Sequence, residues 1–124
     1  MSERPWSSEE IAERMQTLHD EIEEAHHELR ALGDTAAKLK WEYRRQEAKA
    51  ARSAKGRTQK DRDREMFAYQ ITPGFTLADL GENRDRAAAA LEAQETVLKA
   101  MGEQVRLVQS LHVTAREAEP GGRR

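Results

Sequence analysis

With 124 residues, 37% hydrophobic and 35% charged side chains and a mean hydropathy of -0.95, the chain holds one domain at most and too little apolar matter for a compact two-layer globule. It has no cysteine, which excludes disulfides and cysteine-ligated metal sites; no apolar run nears the ~20 residues of a membrane span, and the opening MSERPWSSEE has no basic-then-apolar leader pattern, so the expectation is a cytoplasmic protein with no membrane partner. The net charge of -2 conceals an acidic, basic, acidic order: nine acids and three bases in residues 1–30, two acids and nine bases in 38–60, eight acids and five bases in 78–119.

Seven glycines and three prolines leave most of the chain to strong helix formers. Ser7 and Glu10 have the spacing of a capping box, and Trp6 and Ile11 that of a hydrophobic staple, so the first helix starts here. A seam then runs Ile11, Met15, Leu18, Ile22, Ala25, Leu29, Leu32, Ala36, Leu39, Tyr43 in alternating steps of four and three. Such a heptad face wants a partner helix. Gly33-Asp34-Thr35 has the chemistry of a helix end, but the seam keeps its register across it. One helix over 8–54 is therefore predicted, with Gly33 as the place for a bend.

Gly56 ends that helix, and Thr58 with Asp61 caps a short second one over 59–70. Ile71-Thr72-Pro73-Gly74-Phe75-Thr76 then breaks the helical pattern. Met66, Phe67, Tyr69, Ile71 and Phe75 either pack on the seam at the hairpin tip or form an exposed knob. Thr76 and Asp79 cap a last helix over 77–117. Its seam is Leu80, Ala87, Leu91, Leu98, Met101, Val105 and Val108, with Arg84 and Gln94 at two seam positions; Ala90, Val97, Leu107 and Leu111 widen the stripe. Gln94 is placed to fix register or partner choice.

The expected fold is all-α: a long antiparallel, coiled-coil-like hairpin over 1–119 with a short helix at the tip, and a disordered tail at 120–124. Two helices bury little, so self-association into a bundle, a dimer first, is expected through Ile11, Leu18, Ile22 and Leu29 and through Leu91, Leu98 and Val105.

Little in the chain suggests catalysis. Glu23-x-x-His26 and Glu24-x-x-His27 have the spacing of carboxylate-bridged di-metal bundles, which need it on two helices. The last helix offers only His112, without a Glu three residues before it, so a solvated acidic face is the better reading and no metal site is expected. There is no nucleophile motif and no glycine cluster to cradle phosphates. No enzyme activity, cofactor or small-molecule substrate is expected.

The sharpest signal is KLKWEYRRQEAKAARSAKGR, residues 38–57. At ~100° per residue, with Leu39 and Tyr43 on the seam, Trp41 points the opposite way among Lys38, Arg44, Arg45, Lys49 and Arg52, while Glu42 and Glu47 fall nearer the seam. Continued through Lys55, Arg57 and Lys60, the ridge would extend roughly 30 Å at ~1.5 Å per helical residue. Cations around an exposed aromatic suit phosphate contacts plus base stacking. The same cations would also complement the negative end of the helix, or face the acidic half of a neighbouring chain.

The acidic first helix, the basic stretch RRQEAKAARSAKGRTQKDR and the Ala-rich last helix with LKAMGEQVRLVQSL together resemble small helical accessory proteins of actinobacteriophages, over residues 8–112. The turn at Pro73-Gly74-Phe75 is outside that pattern. The resemblance implies a non-enzymatic phage protein encoded among replication and recombination genes, with no catalytic residues to carry over. The leading expectation is an accessory of DNA metabolism whose ridge binds nucleic acid or a recombination or replication protein. The alternative is a protein-interaction or structural module, such as a virion assembly protein, tail chaperone or host-factor inhibitor, that uses the apolar seams.

Overall fold

The computed structural model describes residues 6–118; the tail expected to be disordered, 120–124, lies outside the described residues. Three helices are described: α1 at Ser8–Ser53, α2 at Gln59–Phe67 and α3 at Leu77–Ala118. Two short strands, β1 at Gln70–Thr72 and β2 at Phe75–Thr76, lie between α2 and α3. The chain divides into two compact units, Met1–Glu28 with Gln94–Arg124, and Leu29–Ala93. In each, a stretch of α1 packs against a stretch of α3 running the other way, which is the helical hairpin. Among the described residues no helix is long and apolar enough to cross a membrane.

The ends of the helices follow from local chemistry. The Ser7 hydroxyl accepts the Glu10 N–H at 3.2 Å and the Glu10 carboxylate accepts the Ser7 N–H at 3.4 Å. These two bonds occupy donors that the first helical turn leaves without partners. Trp6, just before the cap, is 44% exposed. At α2, the Thr58 hydroxyl accepts the Asp61 N–H at 3.1 Å. At α3, Asp79 accepts the Thr76 N–H at 2.9 Å and donates its own N–H to the Thr76 hydroxyl at 3.3 Å.

α1 passes through Gly33 as continuous helix. A Cβ there would meet only Leu91 Cδ1, at 4.0 Å, an ordinary contact. Gly56 is different. A Cβ at Gly56 would sit 2.7 Å from Asp61 Cβ and 2.9 Å from the Arg62 nitrogen, so the start of α2 leaves no room for one. The surrounding turn is braced by two side chains of α2. The Glu65 carboxylate accepts the Lys55 and Gly56 N–H groups at 2.7 and 3.1 Å, and the Arg62 guanidinium donates to the Gly56 and Arg57 carbonyls at 3.1 and 3.3 Å. Alanine at the two glycines is therefore expected to act in opposite directions. Gly33→Ala should stabilise by about 0.5–1 kcal/mol through helix propensity. Gly56→Ala should destabilise by about 1–3 kcal/mol through overpacking. Thermal melts of the two variants read the signs directly.

The tip departs from the all-helical expectation. α2 stops at Phe67, with Ala68 as its cap, so residues 68–70 are not helix as expected. Residues 70–76 form an antiparallel β-hairpin that pairs Gln70 with Thr76 and Thr72 with Phe75. The physical reason lies in the residues. Ile71 and Thr72 are β-branched and favour strands. Pro73 and Gly74 occupy the two central turn positions, and Gly74 has φ 82, the left-handed value a type II turn requires there. The Tyr69 carbonyl then accepts the Leu77 N–H at 2.9 Å, tying the strand to the start of α3.

In the unit Leu29–Ala93 the core is Tyr43, Ala50, Leu77 and Leu80, with Leu39, Met66, Tyr69, Ile71 and Phe75 packed against it. Four of the five tip side chains thus pack, while Phe67 stands 52% exposed. Arg84, on the α3 seam, lies with its guanidinium carbon 4.0 Å from the centroid of the buried Tyr43 ring. Gly81 makes room for that ring: a Cβ there would meet Tyr43 Cε2 at 3.2 Å. The α1 seam continues one step past Tyr43 to the buried Gln46, whose amide donates to the Glu42 carboxylate at 2.8 Å.

In the other unit Ile11, Leu18 and Val108 form the core, flanked by Met15 and Val105. Gln94 donates its amide to the Ala25 carbonyl at 3.0 Å. The bond satisfies a polar side chain that the seam would otherwise leave part-buried without a partner. The seven residues expected to drive self-association face inward within a single chain. Ile11 and Leu18 are fully buried there, and Ile22, Leu29, Leu91, Leu98 and Val105 are partly buried. The heptad face wanted a partner helix and found one in its own chain.

Candidate nucleic-acid interface

The basic ridge is built on α1, in the unit Leu29–Ala93. Tyr43 and Gln46 hold one side of the helix in the core, which fixes the direction of the others. Lys38, Trp41, Arg44, Arg45, Lys49 and Arg52 are all exposed, Trp41 at 63%. From Lys38 to Arg52 the ridge spans about 21 Å at ~1.5 Å per residue. α1 ends at Ser53, one residue before the expected end at 54. Lys55 and Arg57 lie in the connection braced by Glu65 and Arg62, and Lys60 in the first turn of α2; all three are exposed and lie beyond α1. Lys40, which the angular reading left off the ridge, is exposed as well.

The cations differ in what already holds them. Arg45 bonds Glu42, with Nη2 3.0 Å from Oε2 and 3.1 Å from Oε1, and its guanidinium carbon lies 5.3 Å from the Trp41 ring centroid. Arg52 donates through Nε to the Ala48 carbonyl of its own helix at 3.4 Å. Lys38, Arg44 and Lys49 form no ion pair among the described residues. The hydrogen bond from Gln46, and then the Arg45 guanidinium, hold the Glu42 carboxyl below its ordinary range. Glu42 thus pairs with Arg45 beside the indole. Sequence reasoning missed this arrangement of Glu42, Arg45 and Trp41, although the i, i+3 and i, i+4 spacings that permit it were in view.

Beside the indole is a shallow open hollow lined by Ala37, Lys38, Leu39, Trp41 and Glu42. Arg45 is not among its walls. The residues bring together four elements suited to an anionic chain: exposed ammonium groups, guanidinium groups, an exposed π-face and an apolar floor.

A second surface lies on α3 in the other unit. Val97, Ala100, Gln104, Leu107 and Leu111 step by three and four, one residue ahead of the buried seam, and every one is exposed, Leu107 at 67%. The acidic face of α1 in that unit carries Glu23, Glu24, His26 and His27, all exposed to solvent.

Fold and ridge together define a helical hairpin with a basic outer face on one helix. In comparisons with protein-family models, curated proteins and solved structures, the chain matches none.

Proposed function

We propose that the protein is a non-enzymatic accessory factor of DNA metabolism that binds nucleic acid, or the surface of a replication or recombination protein, through the α1 ridge. The observation that carries this is the one-sided face of Lys38, Arg44, Arg45, Lys49 and Arg52 around a 63% exposed Trp41. Complementing the helix end explains cations in the last turn, because the effect fades within a turn. It does not account for Lys38 and Arg44, which lie further in, or for an exposed indole among them. The resemblance to actinobacteriophage accessory proteins supports the same reading and would place the protein in the cytoplasm of a bacterial host. Titration with short oligonucleotides at low salt tests it: binding is expected at about 50 mM salt, weakening steeply as salt is raised.

The α3 face supports a second reading, a protein-interaction or structural module that works as a homodimer. An exposed heptad row on a hairpin whose inner seam is already filled is suited to another helix. Light scattering is expected to give twice the 14.1 kDa chain mass for the native protein. Leu107→Glu combined with Leu111→Glu should return it to the monomer mass with helix content retained. A native protein that is monomeric at high micromolar concentration would end this reading.

A further inference from the structure

We infer that the ridge takes single-stranded nucleic acid in preference to duplex, with one unstacked base seated in the hollow against Trp41; this rests on the nucleic-acid reading of the ridge. The indole has two neighbours of different kinds. Arg45 lies with its guanidinium carbon 5.3 Å from the ring centroid and pairs with Glu42 at 3.0 Å. The hollow lined by Ala37, Lys38, Leu39, Trp41 and Glu42 lies against the same indole, and Arg45 takes no part in it. A planar guest stacked there would have the Trp41 ring as a wall, with Ala37 and Lys38 among its other neighbours and the lysine available to an adjoining phosphate.

Duplex DNA offers no base face to such a wall. Its faces are covered by neighbouring pairs, and exposing one from the side requires unstacking and kinking the helix. Single strands present every base face, and aromatic stacking is tolerant of base identity. Charge complementarity favours an anionic guest over a neutral planar one, because Lys38 lines the hollow and Arg44, Lys49 and Arg52 stand exposed on the same helix, outnumbering the Glu42 carboxylate in the hollow's wall. The partner chemistry is therefore a polyanion with separable planar groups along it. A partner protein with an acidic surface would use the cations and leave the hollow idle.

The test uses the full chain with Trp6→Phe, so that emission reports Trp41 alone. The probes are oligothymidylate and a mixed-sequence duplex of equal length, at low salt. The single strand is expected to quench Trp41 emission and to bind at least about tenfold more tightly than the duplex. Trp41→Ala, read by anisotropy of labelled probe, should weaken single-strand binding roughly 10- to 100-fold and change duplex binding less than about twofold, and Trp41→Phe should keep most of the preference. Trp41 is exposed, so these variants should fold. Equal binding of both probes, indifferent to Trp41→Ala, would overturn the stacking inference while leaving a phosphate-binding ridge. Absence of binding to either probe would overturn the nucleic-acid reading of the ridge, and the inference with it.

Discussion

Replacing Arg44, Arg45 and Arg52 together with glutamate is expected to lower oligonucleotide affinity by at least about a thousandfold near 50 mM salt, since each phosphate contact is worth roughly tenfold there by counterion release. The reversal adds repulsion to the lost contacts. It should leave the helix intact. All three side chains are exposed, and the Arg45–Glu42 pair they include is a surface pair with the arginine side chain 51% exposed. Such pairs contribute a few tenths of a kcal/mol. Circular dichroism of the variant should therefore match the native protein while anisotropy shows no binding. Retained affinity in a folded triple variant would mean that the cations serve solubility or helix polarity only.

Tyr43→Ala should have the largest effect on stability. The ring is 8% exposed and sits at the centre of its unit, with Gly81 beneath it and the Arg84 guanidinium 4.0 Å from its centroid. Truncation removes the apolar ring, leaves a cavity beside a residue that has no side chain to fill it, and strips Arg84 of its cation–π partner. An aromatic-to-alanine change in a core costs about 3–5 kcal/mol. Tyr43→Phe keeps the ring and both contacts, so it should cost less than about 1.5 kcal/mol. Urea unfolding of the pair separates the ring from the hydroxyl.

Much of the fold was legible because periodicity and caps are local signals. The seam from Ile11 to Tyr43 located the buried face of α1, and Ser7, Thr58 and Thr76 marked where three helices begin. Two parts were not legible. The β-hairpin at 70–76 is too short to show an alternating pattern, so Pro73-Gly74 read as a break where it is a turn joining two strands. The partner of the seam was also ambiguous: a heptad face does not say whether the facing helix belongs to the same chain. Ile11 and Leu18 are consumed inside the hairpin, and the free row moves to Val97, Leu107 and Leu111.

At the ridge, helical periodicity places Trp41 outward among cations, and there it lies. It could not show that Arg45 is committed to Glu42 and to the indole, because a rotamer choice decides that. Nor could it show how the connection that carries Lys55 and Arg57 is held. Glu65 and Arg62 hold it through contacts nine or ten and five or six residues apart that no helical period predicts.

The central claim is that the α1 ridge binds nucleic acid. Its most direct test is an anisotropy titration of the native protein against a labelled short oligonucleotide, repeated as salt is raised from about 50 to 200 mM. With four or five ridge cations engaged, log affinity should fall against log salt with a slope of roughly -3 to -4, as expected for that many phosphate contacts. No binding at the lowest salt, or binding with a flat salt dependence, would contradict the account.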